Sequence, residues 1–392
     1  MQNTSLDFDT PVNRRGTGSY KWDTPAEADV IPMWVADMDF RTASAIVEAL
    51  RKRVEHGVFG YTHVGSDYYD AVIRWFAKEH GLNIEPSQII YTSGVVPAIS
   101  AIIKALAAAG SEVIVQTPAY NCFFSSIRND ECCLASNPLI HHSDGSYTID
   151  FDGLEALAHR PEAKLLILCN PHNPSGRCWT RNELERVGEI CLANGVFVVA
   201  DEIHCELTFD GHRYIPFASI SPEFAMNSAT CISPSKAFNI AGLQIANIIA
   251  PDEKVWAKID KAINVNEVCD VNPFGVAATI AAYNEGRPWL DALKSYLWGN
   301  YQLLHERLHR EVPECVVTPL EATYLAWVDI SSTSLSSEQF TTMLLKQEKL
   351  MLNPGTLYGP EGEGFVRINL ATQRSLLNDA IDRIVTFVKS MR

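Results

Sequence analysis

Residues 164–177 read KLLILCNPHNPSGR, an apolar run that stops at a polar, proline-rich turn. Such a short continuous run is typical of a strand buried inside a sheet. Similar runs span 88–91, 112–116, 196–200 and 230–233, and helical or irregular stretches separate most of them. Strands that alternate with helices predict an α/β fold with a largely parallel sheet.

Helical periodicity is clearest at two places in the first half of the chain. Apolar residues at 69, 72, 73 and 76 follow the i, i+3, i+4, i+7 spacing, and a second set runs from Val95 to Leu106. Each set predicts an amphipathic helix with one apolar face.

The pattern changes after about residue 285. It predicts a long helix over 288–310, short strands at 315–318 and 323–329, a helix near 337–349, and a strand at 365–370 before a terminal helix. This is typical of a smaller α+β domain. We therefore predict an N-terminal segment at 1–45 that packs with the small domain, a large domain at 46–285 and a small domain at 286–392.

Composition limits the classes of function. The chain has 392 residues, 47% of them hydrophobic, and a net charge of −15, which opposes non-specific binding to nucleic acids and anionic membranes. The N-terminus has no basic region followed by an apolar core, so we expect no secretory signal and a cytoplasmic protein. None of the 10 cysteines forms a C-x-x-C pair, so we expect buried reduced thiols and no metal clamp.

Polar clusters follow five of the predicted strands. They are Thr92–Gly94, Thr117–Tyr120, Asn170–Pro174, Asp201–His204 and Ser233–Lys236. Ligands bind outside the carboxyl ends of strands in open parallel sheets, so we expect these clusters to converge on one site.

Two of the clusters have both a binding and a structural interpretation. Gly94-Val95-Val96 opens a helix whose free N–H groups can hold a phosphate, although a plain turn with Ser as N-cap explains the sequence equally. The ring of Tyr120 can lie against a planar cofactor or pack in the core.

Asn173 and Asp201 also leave alternatives open. Asn173 stands between two prolines, which aim its amide outward or simply form a turn. Asp201 closes a buried strand, where a carboxylate needs a cationic partner. That partner is a protonated heterocyclic nitrogen, a structural arginine or a helix N-terminus.

Lys236 and Arg367 are the candidate cations. Lys236, held by a short loop at a strand end, is either an ordinary surface lysine or a desolvated amine able to act as a Schiff-base nucleophile. Arg367 lies inside the apolar strand 365–370 and faces either a structural carboxylate or a substrate carboxylate. Together these groups are what pyridoxal 5′-phosphate requires of a protein.

The sequence resembles the fold-type I pyridoxal-phosphate enzymes and, within them, the cystathionine β-lyase (cysteine-S-conjugate β-lyase) family of the MalY/PatB type. The similarity covers nearly the whole chain. It rests on IPMWVADMDF at 31–40, HGVFGYTHV at 56–64, TSGVVPA at 92–98, TPAYNCFF at 117–124, NPHNPSGR at 170–177, ADEIHCEL at 200–207, SPSKAFNIAGL at 233–243, ATYLAW at 322–327 and GFVRINLA at 364–371. It implies a fold-type I architecture, with a mainly parallel seven-stranded sheet in the large domain and a small α+β domain.

The resemblance also implies the role of each site residue. In that family's pattern Lys236 binds the cofactor covalently and acts as the catalytic base. Asp201 pairs with the pyridinium nitrogen, Asn173 bonds the ring hydroxyl, Tyr120 stacks on the ring, and Arg367 takes the substrate α-carboxylate. Gly94, Val95 and Ser233 bind the phosphate in that pattern. Tyr61 of a neighbouring subunit also contacts it, which implies a homodimer.

Two departures separate the chain from related aminotransferases. Gln244 stands where they usually have Arg, eight residues after the lysine, and His204 stands where they usually have Tyr, three residues after the aspartate. Both favour a lyase that cleaves L-cystathionine or related L-cysteine S-conjugates, and His204 is left to contact the ring oxygen. The alternatives are an aminotransferase of the same fold and a lyase with a second role in which its surface holds a regulatory protein partner.

Overall fold

The structure is a computed structural model that describes residues 6–209, 211–267 and 270–392. The first five residues of the predicted N-terminal segment lie outside these ranges. In the described residues the strands are β1 (Ile31–Pro32), β2 (Ile89–Thr92), β3 (Glu112–Thr117), β4 (Cys133–Pro138), β5 (Ile140–His141), β6 (Tyr147–Thr148), β7 (Ala163–Cys169), β8 (Phe197–Asp201), β9 (Ser228–Ile232), β10 (Ala246–Ile249), β11 (Val316–Val317), β12 (Leu325–Asp329), β13 (Leu350–Met351), β14 (Asn353–Pro354) and β15 (Phe365–Asn369).

The helices of these ranges cover the sheets and join the two halves of the chain. They are α1 (Tyr20–Asp23), α2 (Ser44–His56), α3 (Ser66–His80), α4 (Val95–Leu106), α5 (Asn121–Asn129), α6 (Phe151–Ala158), α7 (Arg181–Ala193), α8 (Pro222–Met226), α9 (Glu253–Asn264), α10 (Pro273–Glu285), α11 (Arg287–Glu311), α12 (Ser337–Glu348) and α13 (Arg374–Ser390). No helix in the described part of the chain is both long and apolar enough to cross a bilayer.

The central sheet has seven strands in the order β2-β10-β9-β8-β7-β3-β4. All neighbours are parallel except β10, which runs antiparallel to both β2 and β9. The predicted seven-stranded, mainly parallel sheet is therefore confirmed. Strands β7, β8 and β9 are almost fully buried, which explains their continuous apolar sequences.

Two strands of this sheet were not predicted from the sequence. Strand β4 lies at the edge and carries Ser136, Asn137 and Pro138, so it lacks the apolar signal of a buried strand. Strand β10 spans only four residues, which is too short for a clear pattern.

A second sheet lies in the last quarter of the chain. Its order is β11-β12-β15-β14, and its paired strands are antiparallel. Strand β15 lies between β12 and β14, so Arg367 occupies an interior strand.

The segment after β1 runs between the two sheets. Strand β1 pairs in parallel with β13, and the amide of Asp39 donates to the carbonyl of Ala371. Asp39 itself is buried with Lys21, whose Nζ lies 2.8 Å from its carboxylate, and Arg14 completes the cluster. The predicted domain boundaries stay a prediction, with these contacts as support for the placement of the N-terminal segment.

Candidate active site

The carboxyl ends of the central strands surround one cavity of about 230 Å³. Its walls come from the turns after β2, β3, β7, β8 and β9, together with the segment after β1. The lining residues include Ala36, Ser93, Gly94, Val95, Tyr120, Asn173, Asp201, His204, Ser235, Lys236 and Gln244. The structure therefore brings residues of the predicted polar clusters together at one cavity.

Lys236 lies in the turn after β9, and its side chain makes a long-range hydrogen bond. Its Nζ donates to the carbonyl oxygen of Ala36 at 2.7 Å. Burial lowers the pKa of Lys236 to about 8, and the guanidinium of Arg367 acts in the same direction, while the carboxylates of Asp37 and Asp201 oppose it. A large share of this amine is therefore neutral near pH 8, as a nucleophile or a base requires.

Asp201 ends β8 and is buried without an ion-pair partner among the described residues. The amide of Ile203 donates to its Oδ1 at 3.2 Å. Burial raises the pKa of Asp201 to about 6, although this amide and the nearby Lys236 stabilise the charged form. A cationic nitrogen beside it would restore the carboxylate, so the structure leaves room for the heterocyclic partner.

The start of α4 offers backbone N–H groups to the cavity. Gly94 is the N-cap, and the first intrahelical bond runs from the amide of Ala98 to the carbonyl of Gly94. The amides of Val95 and Val96 precede that bond and are available to an anion. Ser93 is therefore not the N-cap that the plain-turn interpretation required.

One predicted phosphate ligand, Ser233, takes part in the turn that carries Lys236. The hydroxyl of Ser233 donates to the carbonyl of Ile245 at 2.7 Å and accepts from the amide of Ser235. Ser235 lines the cavity. The contribution of Ser233 to phosphate binding stays a prediction. Gln244 lines the cavity, with its amide nitrogen bonded to the carbonyl of Ala241.

Arg367 reaches from β15 to the cavity residues. Its Nη1 donates to Asn173 Oδ1 at 3.2 Å, and its Nη2 donates to the carbonyl of Trp34 at 2.9 Å. The guanidinium also lies over the ring of Tyr358, 4.8 Å from its centroid. Its Nε is buried without a partner. No carboxylate among the described residues pairs with Arg367, so the structural-carboxylate alternative fails.

Tyr120 and His204 complete the walls. Burial raises the pKa of Tyr120, so its hydroxyl stays protonated. Burial also lowers the pKa of His204 to about 3, with Lys236 and Arg367 acting in the same direction, so its imidazole is neutral. His204 Nδ1 is buried without a partner and is free to contact a ligand oxygen.

Tyr61 is the predicted site residue that lies apart from the others. It is 98% exposed, in the irregular segment between α2 and α3, and does not line the cavity of its own chain.

Sequence reasoning missed a backbone group, the carbonyl of Ala36, which accepts from both Lys236 and the hydroxyl of Tyr324. The motif that contains Ala36 was visible, but a carbonyl leaves no residue-type signal.

These residues fit pyridoxal 5′-phosphate. The cavity has an amine for its aldehyde, an unpaired carboxylate for its ring nitrogen, and free amides for its phosphate. Two buried atoms of site residues, His204 Nδ1 and Arg367 Nε, have no hydrogen-bond partner, which is consistent with a polar ligand.

The chain is similar to known proteins over its whole length. A family model described as aminotransferase class I and II matches residues 28–384. Cystathionine beta-lyase PatB of Bacillus subtilis (strain 168) is 44% identical over 383 residues, with 97% of this chain and 99% of that protein covered. Protein MalY of Escherichia coli (strain K12) is 34% identical, with coverages of 99% and 100%. Cystalysin from Treponema denticola, whose crystal structure contains a pyridoxal 5′-phosphate cofactor, matches with a TM-score of 0.95 and 31% identity, over 99% of this chain and 100% of that chain.

The lowered pKa of Lys236 predicts a distinct pH profile for labelling of the ligand-free protein with formaldehyde and borohydride. Only the neutral amine attacks an aldehyde, so labelling of Lys236 should rise from pH 6.5 to 9.5 with a midpoint at about 8. Peptide mass spectrometry after digestion measures it site by site.

The exposed Lys52 in α2 is the internal control. The labelling of Lys236 should level off within this pH range, below the range in which a lysine of a model peptide titrates. Identical profiles for the two lysines would contradict the lowered pKa.

Proposed function

The chain belongs to the aminotransferase class I and II family, and we propose that within it the protein is a pyridoxal 5′-phosphate-dependent carbon–sulfur β-lyase. Its substrates are L-cystathionine or related L-cysteine S-conjugates, and its products are pyruvate, ammonia and a thiol. The observation that carries this proposal is the position of Arg367, a buried guanidinium without a carboxylate partner that contacts Asn173 and lies near Lys236. The relatives named cystathionine beta-lyase support the reaction type.

The residues that would hold the cofactor surround the cavity. Lys236 would bind it covalently, Asp201 would keep its ring nitrogen protonated, and Asn173 and His204 would contact the ring oxygen. The amides of Val95 and Val96 and the neighbouring Ser235 would take the phosphate, while the ring of Tyr120 would stack on the cofactor ring.

The bound cofactor supplies an electron sink for a negative charge at the substrate α-carbon. The protein supplies the rest. The guanidinium of Arg367 binds the α-carboxylate and so orients the substrate. The neutral amine of Lys236 removes the α-proton as general base, which its lowered pKa permits. Asp201, which regains its charge beside a cation, stabilises the protonated ring. The β-thiolate then departs.

The runner-up activity is transamination on the same fold. Gln244 lines the cavity, and the family resemblance implies an arginine at this position in related aminotransferases, which supports the lyase. A regulatory role through a protein partner has no support among the relatives reported above, and we do not propose it. With cystathionine as substrate the thiol product is homocysteine, so we place the enzyme in methionine biosynthesis. A cytoplasmic location stays a prediction.

We further propose that the active form is a homodimer. The segment between α2 and α3 exposes Val58, Phe59 and Tyr61, whose relative exposures are 62%, 54% and 98%. Grouped exposed apolar side chains of this kind indicate a contact surface. The resemblance to the lyase family implies that Tyr61 on this surface contacts the cofactor phosphate of the neighbouring subunit.

The reaction type is tested by incubating the purified holoenzyme with L-cystathionine in the absence of any keto acid. We expect equal amounts of pyruvate, ammonia and homocysteine, because β-elimination needs no amino acceptor. Lys236→Ala should lose turnover without loss of fold, as measured by circular dichroism. Strict dependence on an added keto acid would instead show an aminotransferase.

Arg367 should govern substrate binding and leave cofactor binding intact. Arg367→Ala should lower kcat/KM for cystathionine by about 30- to 1000-fold, since a bidentate charged contact in a partly desolvated cleft is lost. Arg367→Lys should recover only part of this loss, because lysine offers a point charge. The visible absorbance of the bound cofactor should remain. Near-normal kcat/KM, or a colourless protein, would contradict this role.

The dimer predicts complementation between two inactive variants, Lys236→Ala and Tyr61→Ala. Random reassociation of equal amounts gives half heterodimers, and each of these has one intact site out of two. Activity should therefore recover to about a quarter of the wild-type value. Each variant reassociated alone is the control, and a mixture no more active than the mean of these controls would contradict a shared site.

A further inference from the structure

A second group of chemically reactive side chains lies outside the active site. It comprises His80 at the end of α3, and Cys205 and Glu206 in the turn after β8. One ligand atom from each lies within 4.8 Å of the other two. It is the only such three-residue group of histidine, cysteine and acidic side chains found across the described ranges.

The atoms of this group suit one class of ligand. His80 Nε2 lies 2.8 Å from Glu206 Oε1, and Cys205 Sγ lies 3.7 Å from the same oxygen. A nitrogen, a thiolate sulfur and a carboxylate oxygen are the donors that Zn²⁺ binds in proteins. Tetrahedral bonds of about 2.0 to 2.3 Å would separate such donors by roughly 3.3 to 3.8 Å, so shifts of about 1 Å or less would complete the site.

Solvent reaches the group through a cavity of about 150 Å³ that includes all three residues in its wall. His212 and Arg287 also line this cavity, and their side chains are 40% and 42% exposed. The cavity therefore opens outward, and it offers room for a water as the fourth ligand.

The same turn connects this group with the active site. The six residues from Asp201 to Glu206 place Asp201 and His204 in the catalytic cavity, and Cys205 and Glu206 in the second one. Two backbone bonds, from the amide of Cys205 to Glu202 and from the amide of Leu207 to His204, hold the turn together. The backbone of one short turn therefore connects Cys205 and Glu206 with His204.

We propose that His80, Cys205 and Glu206 form a binding site for a thiophilic divalent cation of the zinc type, which lowers turnover through the 201–206 turn. Binding replaces the hydrogen bond between His80 and Glu206 with two bonds to the ion, while Trp75 Nε1 keeps its hydrogen bond to the carboxylate of Glu206. His80 Nε2 gives its proton to solvent, and Nδ1 carries the remaining proton of the neutral ring. Cys205 releases its thiol proton to solvent and binds as thiolate. No oxidation or reduction is involved.

The test is equilibrium dialysis of the holoenzyme against buffered free Zn²⁺, with zinc per chain measured by atomic absorption. All proteins carry His309→Gln and Cys133→Ser. The first change removes an exposed histidine pair on α11, His305 and His309, whose ring centroids lie 6.3 Å apart, and the second removes an exposed thiol. Any remaining stoichiometric zinc then reports on the buried group.

We expect one zinc per chain, with affinity at least about tenfold weaker in Cys205→Ala. The matched control is Cys191→Ala, which removes another buried thiol, in α7, that belongs to no such group. It should bind like the parent protein. His80→Gln provides a second test if Cys205→Ala does not fold.

Zinc should inhibit the parent and Cys191→Ala but spare Cys205→Ala, which separates this site from chelation of substrate or product. Equal zinc binding by Cys205→Ala and the parent, or none by either, would overturn the site. Zinc bound to the site with unchanged turnover would overturn its connection to catalysis. Because binding is measured without substrate, the site stands or falls independently of the lyase assignment.

Discussion

The active site brings together three charged groups without ion-pair partners among the described residues, of which Asp201 and Arg367 are buried and Lys236 is half-buried. Lys236, Asp201 and Arg367 come from two different sheets, and each is placed where water is scarce. Holding such groups apart from their counter-charges is unfavourable, so the surrounding elements must fix them by other means. Strand ends fix the first two, and backbone carbonyls of the 34–36 segment accept from Lys236 and Arg367. A polar ligand that carries the complementary charges completes the arrangement.

The sequence predicted the layers of the fold better than its edges. Buried strands such as β7 and β8 can be recognised from continuous apolar runs, whereas the edge strand β4 and the short β10, which contains Asn247, lack such a run. The sequence also marked some residues of the site more clearly than others. Lys236 and Asp201 stood out as charged residues that follow predicted buried strands, but their roles came only from the family resemblance. The sequence did not predict that the hydroxyl of Ser233 donates to the carbonyl of Ile245, because a hydroxyl suits both a phosphate and a turn. Ala36 acts through its carbonyl, which no sequence pattern marks.

The 201–206 turn shows how closely two chemical environments can lie in one short segment. Its first part lines the catalytic cavity, through Asp201 and His204, and its last two residues line a second cavity beside α3. Glu202 between them is buried, accepts from the amide of Phe217, and has a pKa raised to about 7 by burial. The turn thus carries three acidic side chains, each with a different environment: Asp201 lies near a cation, Glu202 in the core, and Glu206 against a histidine.

The hydrogen-bond acceptor at Ala36 is a backbone carbonyl, which limits what mutation of this residue can change. An acceptor that belongs to the main chain is supplied by any amino acid at that position, so point mutation can reshape the wall of the cavity but cannot delete the acceptor. Saturation mutagenesis at position 36 would therefore report on steric fit alone. Probing the hydrogen bond itself requires an altered backbone, such as an ester in place of the peptide bond, because an ester carbonyl is a weaker acceptor.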